Sequence, residues 1–224
     1  MMYLENNYCA DIVFCIDKTS DMSIYKNDIN NFIMKFCSCF EEEMELVGKY
    51  IEQFRARVIA FGDYQTDAEP IIQSEFFNFP NQIDDFKHFI ESINYCGGGD
   101  SRKNAFEALS LAVNSDFVRR ERRRRHIICL ITNAPPLPWG ERAGCPEYPT
   151  DIPQSFEEFA SVWEGTDSRF EGSYSRNAGR LVAFVPRCKE WEEFEVLNRT
   201  VVVYNDNTDD NILGDICIMV TGAF

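Results

Sequence analysis

The sequence predicts a three-layer α/β sandwich whose central sheet is mostly parallel. Residues 12–16 and 127–131 are unbroken apolar runs, the pattern of strands buried on both faces. Amphipathic helical stretches alternate with such runs, as in repeated βαβ units. The first connection carries a long helical pattern over 24–47, ample for a right-handed crossover between parallel strands. One antiparallel edge strand is expected, because residues 71–77 follow 55–61 too closely for a crossover helix.

The elements follow in order. Residues 11–16 form the first strand, which breaks at Asp17 into the polar turn Asp17, Lys18, Thr19, Ser20, Asp21. In 24–47, Ile29, Phe32, Ile33, Phe36, Cys37, Phe40, Met44 and Val47 fall at steps of three and four, building one helical face. Gly48 is placed to end that helix. Residues 55–61 are the second strand and run into Gly62, Asp63 and Tyr64, with 71–77 as the edge strand. Beyond Pro80, a helix over 82–93 gathers Ile83, Phe86, Phe89, Ile90 and Ile93.

Gly97, Gly98, Gly99 and Asp100 then let the backbone turn sharply and approach something closely. The spacing matches neither nucleotide-binding glycine pattern. Residues 102–117 read as a helix and 126–132 as a central strand ending in Thr132, Asn133, Ala134. Residues 134–152 hold Pro135, Pro136, Pro138, Pro146 and Pro149, a long connection with Trp139 and Tyr148 as aromatic anchors. Ser155 and Glu158 form a capping box for a helix through Trp163. A strand at 180–185, a short helix around Trp191 and Phe194, and a strand at 199–204 follow. A C-terminal helix is expected from Asp209, with Ile212, Leu213, Ile216, Cys217, Met219 and Val220. No repeat or low-complexity stretch interrupts the chain. One domain is expected over 1–224, with its core at about 10–204 and a C-terminal extension.

Charge narrows the function. The chain has 22 Lys and Arg against 37 Asp and Glu, a net charge of -15. That balance favours cation binding and disfavours nucleic acid or an anionic membrane as partner. Of the nine Cys, Cys15, Cys129 and Cys217 lie inside apolar runs and Cys37 on an apolar helical face. They read as small buried hydrophobes, and with no leader sequence at Met1 a cytoplasmic, reducing setting is expected. His88 and His126 are the two histidines, too few for a zinc knuckle. Arg119, Arg120, Arg122, Arg123, Arg124 and Arg125 form a basic run past a helix C-terminus. It reads first as a solvated face, and second as a binding patch for an acidic or phosphorylated partner.

In a parallel sheet, sites gather at the C-terminal strand ends. That rule brings together Asp17, Thr19 and Asp21, the loop at Asp63, the glycine loop at Asp100, and Thr132 with Asn133. Carboxylate and hydroxyl oxygens converging from four loops suit a hard divalent cation. The plainer alternative is a set of polar turns in which Asp or Ser caps the following helix.

On these residues the chain resembles the von Willebrand factor type A domain family. The family's first motif, Asp-x-Ser/Thr-x-Ser, reads Asp17-Lys18-Thr19-Ser20-Asp21, with Asp21 where Ser is usual. Asp100 matches the Thr position of the second loop, and Thr132-Asn133-Ala134 matches a third motif that normally reads Thr-Asp. Residues 57–64, joined to 97–100, look like the intracellular bacterial branch that includes tellurite-resistance-associated domains.

The resemblance covers about 10–204 and implies a Rossmann-like sandwich with a metal-ion-dependent adhesion site. Asp17, Thr19, Asp21, Asp100 and Asn133 would hold Mg2+, with Mn2+ or Ca2+ as alternatives. Ser20, Asp63, Tyr64, Gly98, Gly99 and Thr132 would support those ligands or touch a partner. Three carboxylates around one Mg2+ leave a local charge of about -1, so the ion would brace the loops rather than grasp a partner's carboxylate. The implied function is a non-catalytic protein-interaction module in a bacterial signalling, stress or defence assembly. Two alternatives stand beside it. One is a metal-dependent phosphohydrolase, disfavoured because no Asp-x-Asp pair ends the first strand, although Lys18 suits such chemistry. The other is a metal-free scaffold using the same surface.

Overall fold

Alternation along one strand divides the molecule into two cores. In the computed structural model, which describes residues 7–119, 123–166 and 177–205, the first strand β1 spans Asn7–Asp17. Its Ile12, Phe14 and Ile16 enter one apolar cluster, and its Val13 and Cys15 enter another on the opposite face. All five are fully buried, which explains the unbroken apolar run.

The sheet continues with β2 (Tyr50–Phe61), β3 (Ile71–Gln73), β4 (Phe77–Phe79), β5 (Arg124–Ile131), β6 (Gly179–Val185) and β7 (Thr200–Tyr204). Its order is β3-β2-β1-β5-β6-β7, with β4 also paired to β2. The pairs among β2, β1, β5, β6 and β7 are parallel, and β3 and β4 lie antiparallel to β2. Helices α1 (Lys26–Leu46) and α2 (Ile83–Ser92) cover the first core. Helices α3 (Ala105–Val113), α4 (Phe156–Trp163) and α5 (Lys189–Glu192) cover the second. The predicted α/β sandwich with a mostly parallel sheet is the observed fold.

The boundaries differ where side chains intervene. The expected edge strand over 71–77 is split in two. The Ser74 hydroxyl accepts the Val58 N–H at 2.9 Å, and the Ser74 N–H donates to the Val58 carbonyl, so the ladder bends away there. The first helix begins with a 3-10 segment, Ser20–Tyr25, before α1 proper. Ile29, Ile33, Phe36, Cys37, Phe40 and Met44 are its buried face, whereas Val47 is exposed at the C-cap. Gly48 does end it, at φ +70°: its N–H reaches the Glu45 carbonyl and the Lys49 N–H reaches Met44, a Schellman closure.

The helix expected from 102 starts three residues later. Lys103 instead pairs with the proline-rich connection, donating its N–H to the Pro135 carbonyl at 3.0 Å and accepting the Leu137 N–H at 2.7 Å. The capping box is offset. Ser155 Oγ accepts the Glu158 N–H as expected, but the Glu158 carboxylate takes the Gln154 N–H. Arg124 and Arg125 belong to β5 rather than to a loop before it, while Arg120 and Arg122 lie outside the described residues. The expected C-terminal helix also lies outside them. No described helix is long and apolar enough to cross a membrane.

Candidate interaction site at the C-terminal edge of the sheet

The polar turn after β1 folds around the Asp17 carboxylate. Oδ1 accepts the Thr19 N–H at 3.0 Å and the Thr19 hydroxyl at 2.7 Å. Oδ2 accepts the Thr132 hydroxyl, at the end of β5, at 2.7 Å. Asp17 and Thr19 are fully buried. Burial pushes the Asp17 pKa up, and the bonds from Thr19 and Thr132 and the positive charge of Lys103 pull it back down. Two of the expected strand-end loops are thus joined through one carboxylate.

The glycine loop is held from two sides. Ser20 donates through Oγ to the Gly97 carbonyl at 3.0 Å. The Gly98 N–H donates to Asp67 Oδ1 at 3.0 Å and the Gly99 N–H to Thr66 Oγ1 at 3.2 Å. Asp67 also accepts the Asp63 N–H through Oδ2 at 2.8 Å. Gly98 has φ +79°, and a Cβ there would fall 2.6 Å from Thr19 Cβ and 3.1 Å from Lys103 Nζ. Only a glycine fits that approach.

Lys103 was not among the residues expected to act here. Its side chain is 1% exposed, and its ammonium donates to the Asp100 carbonyl at 2.7 Å and to Asp21 Oδ2 at 3.4 Å. Arg142, from the proline-rich connection, donates to Asp63 Oδ1 and to Asp100 Oδ2, each at 3.3 Å. Arg102 reaches the Pro136 carbonyl and Glu190. The Asp100 carboxylate pKa is held low, chiefly by the bond from the Arg102 N–H and to a lesser degree by the positive charge of Arg142. The acidic loops are therefore matched by the chain's own cations. One signal for this was present in the sequence: so many carboxylates at strand ends require counter-charges nearby, and Lys103, Arg102 and Arg142 lie in the same loops.

The expected metal ligands are brought together in part. Asp17 and Thr19 meet directly, whereas Lys103 takes the Asp21 carboxylate and the Asp100 main-chain carbonyl, and the Asp100 carboxylate faces Arg142. Asn133 turns toward a groove of about 360 Å³ beside α1, lined also by Met22, Tyr25, Ile29, Phe32 and Phe184. Among the described residues, no group of three or more His, Cys, Asp or Glu side chains is placed to hold a metal ion. Lys103 Nζ stands between the Asp21 carboxylate and the Asp100 carbonyl, so a divalent ion placed there would meet its repulsion as well as the attraction of the carboxylates.

Asp63 caps its own turn, accepting the Gln65 N–H at 2.8 Å. The Tyr64 N–H donates to Asn104 Oδ1, and the Tyr64 ring lies 5.2 Å from that of Tyr148. Tyr148 donates to the buried Glu107, and Trp139 stacks on Phe106 at 4.1 Å, so both aromatic anchors do seat the proline-rich connection. The arginine run lies at the opposite, N-terminal end of the sheet. There Arg124 and Arg125 pair in register with Cys9 and Ala10 of β1.

The sheet order and the clustered strand-end loops define a von Willebrand factor type A fold. The match within that class is specific: residues 6–164 fit the family model of the Mediator complex subunit 25 von Willebrand factor type A domain. The chain belongs to that family. The finer resemblance to tellurite-resistance-associated domains is not what this family model describes.

Among solved structures, two of the pilus adhesin SpaC from Lactobacillus rhamnosus GG align over 97% of this chain. They give TM-scores of 0.59 and 0.56, at 10% and 9% identity. Proximal thread matrix protein 1 from the mussel byssus, with a zinc-occupied MIDAS motif, aligns over 97% of this chain at a TM-score of 0.51 and 14% identity. This chain spans 31%, 30% and 48% of those three chains. At such identities the likeness carries the fold alone. No curated protein matches the sequence.

Proposed function

We propose that the domain is a non-catalytic protein-interaction module that docks its partner on the C-terminal edge of the sheet. The groove beside α1 carries this reading. Tyr25 is part of its wall, and Ile24, next to Tyr25 in the chain, is 76% exposed. Its rim is acidic, with Asp28 in the lining and Asp21 exposed nearby, on a chain of net charge -15. The occupant that fits is a protein segment with apolar side chains flanked by Lys or Arg. A partner carboxylate fits this rim poorly.

The family name supports membership of a multi-protein assembly, and we take a Mediator-type complex as the setting. The metal-free version of the module is the one favoured, on the strength of Lys103. Hydrolysis is disfavoured because the Asp17 carboxylate is sealed from solvent and occupied by two threonines.

Affinity purification of the tagged chain with quantitative mass spectrometry tests the reading. Mediator-type subunits should be enriched on the wild type, with or without chelator, and lost when Ile24→Asp is combined with Phe32→Asp. Equal recovery on both proteins would remove the groove from the interaction. Turnover of a phosphomonoester with Mg2+ that Asp17→Asn abolishes would favour the hydrolase.

A further inference from the structure

We propose that Lys103 is the permanent cation of this site, and that its ammonium, rather than a bound metal ion, cross-links the strand-end loops. Three loops converge on this residue. Its Nζ donates to Asp21 Oδ2 in the turn after β1 and to the Asp100 carbonyl in the glycine loop. Its backbone exchanges hydrogen bonds with Pro135 and Leu137 in the connection after β5. A divalent ion braces such loops by ligation. Here one side chain and its own peptide group do the same, and the fold supplies the charge internally.

The surroundings are shaped for it. Gly98 leaves room where a Cβ would stand 3.1 Å from the ammonium. Asp21 adds a second carboxylate, beside the buried Asp17, where the hydroxyl of the usual Ser would add no charge. Lys103 is 1% exposed, so it acts beneath the docking face and not as a contact.

The inference rests on the proposed function for the role of the loops, but its test uses the isolated chain with no partner. Lys103→Met keeps the length and apolar stem while removing the charge. Amide hydrogen exchange should rise in that variant at residues 19–23 and 97–100 and at Ala134 and Leu137, with the strands of the sheet unchanged as the measure of folding. Mn2+, followed by electron paramagnetic resonance, should bind Lys103→Met at least about tenfold tighter than the wild type. Adding Asp17→Ala to the variant should abolish that gain. Lys103→Arg, which keeps a charge, should stay metal-blind. Mn2+ binding by the wild type as tight as by Lys103→Met overturns the proposal, and so does unchanged exchange in the three loops.

Discussion

His126, the third residue of β5, packs against Phe117, whose ring stacks on the imidazole at 4.5 Å, and its Nε2 donates to the Val118 carbonyl at 3.1 Å. Burial pushes its pKa from 6.5 down to about 3, and the bond to Val118 partly opposes that. Between those values the unfolded chain binds a proton that the native state does not. Stability is therefore complete above about pH 6.5 and declines as the pH falls, by at most about 1.4 kcal/mol per unit. Urea unfolding from about pH 7.5 down to pH 5 should show that slope, and His126→Gln should flatten it. An equal slope in both proteins would assign the loss to other groups. The burial of His126 has a sign in the sequence, since it stands immediately before the apolar run 127–131. Asp17, Thr19 and Thr132 were legible because a strand that turns abruptly polar exposes its own end. Lys103 was hidden: a charged residue near a helix start reads as solvated surface, and nothing local shows that the chain bends it inward.

Helix lengths and strand faces follow from periodicity, which is why β1, α1, α2 and α4 lie near their expected places. Ends set by long-range pairing do not. The bend at Ser74 depends on Val58 in another strand, and the late start of α3 depends on Pro135 and Leu137. The glycine loop shows both kinds of information. Its glycines announce a close approach, but what approaches, Thr19 and Lys103, is set by the fold. Gly98→Ala combines a left-handed backbone with a Cβ 2.6 Å from Thr19. It should cost about 1–3 kcal/mol in chemical denaturation. Gly48→Ala at φ +70°, with open space around its Cβ, should cost about 1 kcal/mol. A ranking in which Gly48→Ala costs more would contradict the crowding at Thr19.

Across the whole molecule the arginines gather at one end of the sheet, the end at which the Glu-rich last turns of α1 lead into β2. Asp11 and Arg55 form a two-bond ion pair at its N-terminal end, where Arg119, Arg123, Arg124 and Arg125 also gather. At that end Tyr8 lies under Arg123 and Arg125, and Phe76 under Arg55 and Arg57, so much of the basic run is engaged within the fold. The acidic loops occupy the other end. Once a partner is in hand, its association rate should fall as salt rises, while its dissociation rate changes little. Reversing Asp28 to Lys should slow association more than it speeds release, and a change confined to release would place that carboxylate in the bonded contact instead. A basic partner is drawn to the molecule as a whole by its net charge of -15, and locally by Asp21 and Asp28. The apolar groove beside α1 then decides where on that acidic surface the partner comes to rest.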